Sequence, residues 1–264
     1  MTTPGGPQVD VETLDEANDL DSCWWRCRQE SYWDAIADRY DQLYTSRWSK
    51  QENRWVEHQL SFISGLAAPT VLDLGCGTGL GLKMVRRLNK FAQYIGIDVS
   101  ERMVRALTKA DSAAKICVGS MDDLGFVESE QVDVVISLFS SVSYAYNSEA
   151  VFSEIGRVLA PGGYAYLSVL SSRGLSQLRG GIRHGLYRTR GDHQSGMAAP
   201  VRRHTTAGID ELCEASGLTV ERATGMNIFS GLAEVPALWH AGRLVARWVP
   251  DWAHTIEVLL RKKA

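Results

Sequence analysis

From Thr70 onward, short runs of β-branched and aliphatic residues alternate with amphipathic stretches. The apolar runs at about 70–74, 94–98, 115–118, 132–138 and 163–170 have strand length and a Val, Ile and Leu content typical of strands buried on both faces. Between most of them, over about 80–90, 100–110 and 148–159, apolar positions recur every three or four residues, the period of helices that bury one side. Such alternation requires right-handed crossovers and a parallel sheet covered by helices on both faces. Ala160-Pro161-Gly162-Gly163 is expected to stop the third of these helices and turn into the fifth strand. A helix at about 206–216, a strand at about 218–225, a helical stretch around 231–247 and a strand at about 255–261 complete a seven-stranded α/β sheet.

Two segments stand outside this rhythm. Over 23–64 the chain is rich in aromatic residues, and Trp33, Ile36, Ala37, Tyr40, Leu43 and Tyr44 have helical spacing, which predicts two or three helices. Residues 171–204 carry Gly, Ser, Arg and His with no period; an irregular segment of that length within a compact domain is usually a functional loop or lid. The chain starts with residues 1–22, which hold six acidic residues between Asp10 and Asp21 and are expected to form a mobile tail.

Composition narrows the classes. With 264 residues, 45% hydrophobic and 22% charged, the chain can bury a sizeable core without disulfides or metals, and 23–264 reads as one domain. A net charge of −3 argues against a surface that attracts nucleic acid or anionic lipid over its whole face. The acidic start is the opposite of a signal or transit peptide, and no run reaches the ~18 apolar residues that span a bilayer, so a cytoplasmic protein without membrane association is expected. The five cysteines fit a reducing compartment; Cys76, Cys117 and Cys213 suit buried thiols, and Cys23-x-x-x-Cys27 suits helix packing better than metal ligation, for which no third cysteine stands at ligand spacing. No metal is expected. Monomer and homodimer are both compatible with the sequence.

Val71-Leu72-Asp73-Leu74-Gly75-Cys76-Gly77-Thr78-Gly79 is a hydrophobic strand running into a Gly-x-Gly-x-Gly turn and a helix. Glycines are needed there if a ligand approaches the backbone closely, because side chains would block the turn and its amides. Asp98 ends the next strand, where a carboxylate can accept hydrogen bonds from both hydroxyls of a ribose. Together they point to a nucleoside cofactor. A dinucleotide fold places its third glycine at Gly-x-Gly-x-x-Gly, and Leu80, Leu82 and Met84 fill that place in every register, which weakens the nicotinamide reading.

The turn, with an acidic residue inside the preceding strand, resembles motif I of class I S-adenosylmethionine-dependent methyltransferases. The similarity runs through Tyr94-Ile-Gly-Ile-Asp98-Val-Ser, Gly119-Ser-Met-Asp-Asp-Leu124, Val132-Asp-Val-Val-Ile-Ser-Leu138 and Leu159-Ala-Pro-Gly-Gly-Tyr164, in order, and covers about residues 30–262. It implies a doubly wound, Rossmann-like, mostly parallel sheet with an antiparallel last strand, S-adenosylmethionine as cofactor, and a small-molecule acceptor. It also implies roles. Gly75, Cys76, Gly77 and Gly79 form the bend that cradles the methionine portion, and Asp73 faces its ammonium group. Asp98 holds the ribose, Val99 and Met103 lie against the adenine, Met121 covers its other face, and Ser120 or Asp122 meets the adenine amine. Leu138 and Phe139 line the methyl-transfer side. Trp33-Asp-Ala-Ile-Ala-Asp-Arg-Tyr40-Asp is similar to the lid helix of small-molecule members, with Tyr40 pointing at the cofactor and Trp33 toward the acceptor.

The acceptor side rests on fewer residues. His204 and Tyr144 are the candidates for a base that removes a proton from a hydroxyl or protonated amine. The 171–204 segment holds Arg173, Arg179, Arg183, Arg188, Arg190, Arg202 and Arg203 against Asp192, with Tyr187 and three histidines interspersed. Either this is a solvated basic face, or Arg202 and Arg203 grip a carboxylate or phosphate on the acceptor, with Tyr187 and Tyr144 as walls. The fourth strand ends in Ser137-Leu138-Phe139-Ser140, unlike the Asn-Pro-Pro-Tyr type of enzymes that methylate planar amide or base nitrogens, so an oxygen or nitrogen of a small specialised metabolite is the expected target and nucleic acid is not. The other readings are an RNA methyltransferase clamping phosphates with the Arg-rich segment, and a catalytically silent adenosyl-binding protein.

Overall fold

The computed structural model describes residues 22–174, 186–187, 199–228 and 238–263. Its frame is a seven-stranded sheet in the order β3-β2-β1-β4-β5-β9-β8. The strands are β1 (Thr70–Leu74), β2 (Gln93–Asp98), β3 (Lys115–Val118), β4 (Val132–Ser137), β5 (Leu159–Leu170), β8 (Leu218–Met226) and β9 (Thr255–Lys262). β1 to β5 pair in parallel, and β9 runs antiparallel between β5 and β8. A separate two-stranded pairing joins β6 (Leu186–Tyr187) to β7 (Ala199–Pro200). The helices are α1 (Ser22–Ile36), α2 (Tyr40–Leu43), α3 (Arg47–Gln59), α4 (Leu80–Leu88), α5 (Glu101–Ala110), α6 (Ser148–Val158), α7 (Thr206–Ala215) and α8 (Leu238–Ala246). No helix among the described residues is long and apolar enough to cross a membrane.

Successive residues of the central strands feed two cores, as strands covered on both sides must. Val71, Val134, Ile136 and Tyr166 pack with Val56 and Leu60 beside α3 and with Leu82 and Val85 of α4. Leu72, Leu74, Val135 and Leu167 pack on the other side with Val151, Phe152 and Ile155 of α6 and Ile209 and Cys213 of α7. Helix starts are set by side-chain caps: the Ser46, Ser100, Asn147 and Thr205 side chains each accept a first-turn backbone N–H. Each such cap contributes about 1 kcal/mol.

The aromatic segment is helical in three pieces, within the two or three helices expected: α1 stops at Ile36, a 3-10 turn covers Ala37–Arg39, α2 restarts at Tyr40 and α3 follows from Arg47. Two expectations need correction. Ala160–Gly163 does not precede the fifth strand but lies within it, because α6 ends at Val158 and pairing begins at Leu159. Gly162, at φ +76°, and a register shift between Val132 and Val134 absorb the misfit as a bulge. Cys23 and Cys27 are exposed on α1, so they do not serve helix packing, whereas Cys76 and Cys213 are buried. Of the helical stretch expected around 231–247, α8 covers Leu238–Ala246, while 229–237 lie outside the described residues, as do 1–21.

Candidate active site

The site grows from the bend after β1. Gly75, Gly77 and Gly79 all have positive φ, at +79°, +51° and +94°, conformations costly for residues with a Cβ. Space demands glycine as well: a Cβ on Gly75 would stand 2.6 Å from the Ser141 Cβ, and one on Gly79 would stand 2.3 Å from Leu107 Cδ1. The bend's amides are not free donors, contrary to the sequence expectation. Gly75 and Cys76 both donate to the Ile97 carbonyl at 2.8 and 3.0 Å, Gly79 donates to the Cys76 carbonyl at 3.0 Å, and Gly77 donates to Asp98 Oδ2 at 2.8 Å. What the bend offers a ligand is bare backbone at close range.

Asp98 is the hinge of the arrangement. Its Oδ2 accepts from Gly77 and its Oδ1 accepts from the Ser100 amide at 2.9 Å. Burial raises its pKa, and these amides oppose the rise. A carboxylate has about four lone-pair sites, so each oxygen keeps one for a ligand hydroxyl.

Asp73 is placed differently from expectation. It is 2% exposed, Tyr94 donates its hydroxyl to Oδ2 at 2.5 Å, and a Cβ on Gly81 would stand 2.1 Å from that oxygen. The carboxyl is therefore wedged between β1, β2 and the first turn of α4 instead of facing the cleft, and burial pushes its pKa up to about 7. Cys76, Gly79, Leu138 and Phe139 also support the cleft from outside its lining, Cys76 by filling the space over Gly96.

The cleft holds about 740 Å³ of empty space including its open mouth. The structure brings together in its lining Trp33, Tyr40, Gly75, Gly77, Asp98, Val99, Met103, Ser120, Met121, Asp122 and Tyr144. Sequence reasoning missed Trp25, Arg26, Gln29, Ile97, Gly119, Ser141, Ala145 and Tyr146; Trp25 and Gln29 precede Trp33 by two turns and one turn of α1, and that helical spacing is the signal that could have found them.

The segment expected to act as a lid, α1 with α2, is clasped to the start of α5 and to the bend by carboxylates. Asp34 accepts from Ser100 Oγ at 2.5 Å and from the Arg102 amide at 3.2 Å, Asp38 pairs with Arg102, and Asp41 accepts from Thr78 Oγ1 at 2.5 Å. Its inner face is aromatic: the Trp33 ring meets Tyr144 edge-on at 5.0 Å and Tyr40 at 6.2 Å. Burial, then the neighbouring Tyr44 and Tyr144, push the Tyr40 phenol well above its usual pKa, so it stays protonated.

The insertion's ends fasten this wall instead of projecting charges into it. Trp25 donates its indole N–H to the Tyr144 carbonyl at 2.8 Å, and Gln29 donates to the Pro200 carbonyl at 2.6 Å while accepting from Trp33 Nε1 at 3.0 Å. Arg202 lies over the Trp25 and Tyr146 rings at 5.3 and 5.6 Å and donates Nε to the Tyr146 carbonyl. Arg203 donates to the Ser171 carbonyl at 3.0 Å. Neither arginine lines the cleft. His204 is also behind the wall: its backbone bridges Leu170 and Ser172, it is 8% exposed, and burial lowers its pKa to about 4. The Tyr187 backbone lies in β6, while Arg179, Arg183, His184, Arg188, Arg190 and His193 fall outside the described residues.

Residues 72–167, from β1 through the bend, Asp98 and the loop after β4 into β5, match a family described as a methyltransferase domain. The chain is 29% identical over 140 residues to the ubiquinone/menaquinone biosynthesis C-methyltransferase UbiE of Desulfotalea psychrophila, over 51% of this chain and 54% of that protein. It is 33% identical over 159 residues to the biotin biosynthesis bifunctional protein BioHC of Teredinibacter turnerae, over 55% of this chain and 27% of that protein. The chain thus spans about half or less of the length of these two curated relatives. Among solved structures, a chain of the Haloferax volcanii complex between the Trm112 methyltransferase activator and a putative methyltransferase superposes with a TM-score of 0.59 at 21% identity, over 88% of this chain and 98% of that one.

Proposed function

As residues 72–167 place the chain among the class I S-adenosylmethionine-dependent methyltransferases, we propose that it methylates an oxygen or nitrogen atom of a small molecule, in the biosynthesis of a specialised metabolite. The cofactor fits the residues present. Gly77 lines the cleft with open space where a Cβ would stand, Asp98 retains acceptor capacity for a ribose, and Val99, Met103 and Met121 supply apolar faces for an adenine. Ser120 or Asp122 meets its amine. S-adenosylmethionine supplies a methyl group already made electrophilic by the sulfonium.

The protein's share is alignment and exclusion of water. Trp33 and Tyr40 close the cleft from the lid, Tyr144 and Tyr146 close it from the loop after β4, and the Asp34, Asp38 and Asp41 clasps hold the lid to the start of α5 and to the glycine bend. No buried imidazole lines the cleft among the described residues, which favours acceptors that need little help in losing a proton, with Tyr144 the group nearest that task. The five cysteines, none of them in a disulfide, support a reducing, cytoplasmic setting.

The single observation behind the small-molecule reading is the aromatic wall itself. Trp25, Trp33, Tyr144 and Tyr146 leave a confined apolar chamber, with Arg202 spent on fixing it instead of reaching for a phosphate backbone. The test is to incubate the full chain with methyl-labelled S-adenosylmethionine and, separately, a panel of small phenols, amines and carboxylic acids and total RNA. Label in a small acceptor is expected; label in RNA alone would reverse the reading.

A further inference from the structure

A second cleft opens between α3 and α8, floored by β8, and shares no lining residue with the first. It encloses about 1210 Å³ including its mouth. Its charge is one-sided: Arg222 of β8, Arg243 of α8, Arg247 just beyond that helix, His58 and His240 line it, and no carboxylate among the described residues does. None of these arginines forms an ion pair among the described residues, although others on the surface do. In a chain whose net charge is −3, three guanidinium groups from separate elements converge here with buried Glu257, behind Trp55, as the carboxyl that acts on Arg222 and Arg243.

One of them is held in place. The Arg243 guanidinium sits 3.5 Å from the Trp55 ring centroid, and Trp55 is fixed in turn by donating its indole N–H to buried Glu257 at 2.7 Å. Stacking occupies a face of the guanidinium and leaves its edge N–H groups to bind in the ring plane. Planar forks converging on one concavity match the geometry and valence of phosphoryl oxygens better than those of a single carboxylate.

We propose that the α3–α8 cleft is a second ligand site, for a phosphate-bearing anion held by Arg222, Arg243 and Arg247. The proposal stands independently of the cofactor reading. The phosphate could belong to a free small molecule or to a lipid headgroup, since Leu244 and Trp248 beside the cleft are 65% and 88% exposed. The experiment separates these sources. Inorganic pyrophosphate is titrated into the full chain by calorimetry, and co-sedimentation is measured with phosphatidylglycerol vesicles and with phosphatidylcholine vesicles. Each is repeated for Arg222→Gln/Arg247→Gln, both exposed positions, with urea unfolding as the check that the variant is folded.

Saturable pyrophosphate binding that weakens at least tenfold in the variant supports a free phosphate ligand. Binding confined to phosphatidylglycerol vesicles and lost in the variant supports a headgroup. No binding in any arm overturns the proposal. So does binding of the same strength in the folded variant, or vesicle binding that Trp248→Ser abolishes while the double arginine variant retains it.

Discussion

At Gly75 two demands coincide, a φ of +79° and a Ser141 side chain where a Cβ would go. Gly75→Ala should therefore lower stability by about 2 kcal/mol. Adding Ser141→Gly should recover roughly half of that, the part due to collision, leaving the backbone cost. Thermal unfolding of the two variants measures this; a double variant no better than Gly75→Ala would show that collision plays no part. Glu257 is the other residue whose surroundings make a quantitative prediction. Burial lifts its pKa from 4.5 to about 7, against the hydrogen bond from Trp55. Below about pH 4.5 the group is protonated in both folded and unfolded chains and has no effect on the balance. As pH rises toward 7 the unfolded chain ionises first, so this group takes away stability across that window, about 3 kcal/mol at ~1.4 kcal/mol per pH unit. His204 and His254, lowered by burial from 6.5 to about 4, act in the opposite sense: their contribution is lost as pH falls through that range. The opposing slopes flatten the wild-type profile between pH 4.5 and 6.5. Glu257→Gln should raise the urea midpoint at pH 8 and leave it unchanged at pH 4.5; an equal change at both would contradict a buried, proton-carrying carboxyl.

α1 rests on a buried apolar contact of Tyr32, Ile36 and Ala37 with Met103 of α5, and polar, partly exposed pairs surround it; the Asp38–Arg102 pair leaves 82% of the Asp38 side chain in solvent. Such pairs contribute up to about 1 kcal/mol each. Asp34→Ala/Asp38→Ala should loosen α1 without touching the bend, raising the KM for the cofactor roughly fivefold and leaving the melting temperature nearly unchanged. A loss of folding in place of a KM effect would mean that these carboxylates hold the domain instead of the lid. Element identity was largely legible in the sequence because the central strands are apolar on both sides: Val71 and Leu72 enter different cores, and a continuous run reports that directly. Element ends were less legible. α1 stops at Ile36 although the apolar spacing continues to Tyr44, because the spacing records which side is buried and not whether the backbone turns through a 3-10 segment on the way. β5 begins at Leu159 because Gly162 can adopt the positive φ of a bulge, which local turn signals read as a stop.

Across the whole molecule, one cleft lies where the bend, the end of β2, the loop after β4 and the lid meet. Its glycine bend and neighbouring carboxylate were readable, since Gly75, Gly77 and Asp98 are fixed by local chain geometry at strand ends. Its far wall was not, because it depends on contacts between distant segments. Trp25 reaches Tyr144 across 119 positions, and Arg202 is held in the wall by the rings of Trp25 and Tyr146 and by the Tyr146 carbonyl. Local composition displays the charge of Arg202 and His204 but not the partners that turn them inward. Asp73 fails for a related reason: its place in the strand is legible, whereas the Tyr94 hydroxyl and the Gly81 backbone that enclose it belong to other elements. The most direct measurement of the account is a calorimetric titration of the full chain with S-adenosylhomocysteine, beside Asp98→Asn. An amide has one acceptor oxygen where Gly77, Ser100 and two ribose hydroxyls need two, and a lost hydrogen bond to a charged group costs about 1.5–3 kcal/mol. The account predicts one-site binding by the natural chain, weakened roughly 10- to 100-fold in the variant. Absence of binding by the natural chain, or equal affinity in both, would contradict it.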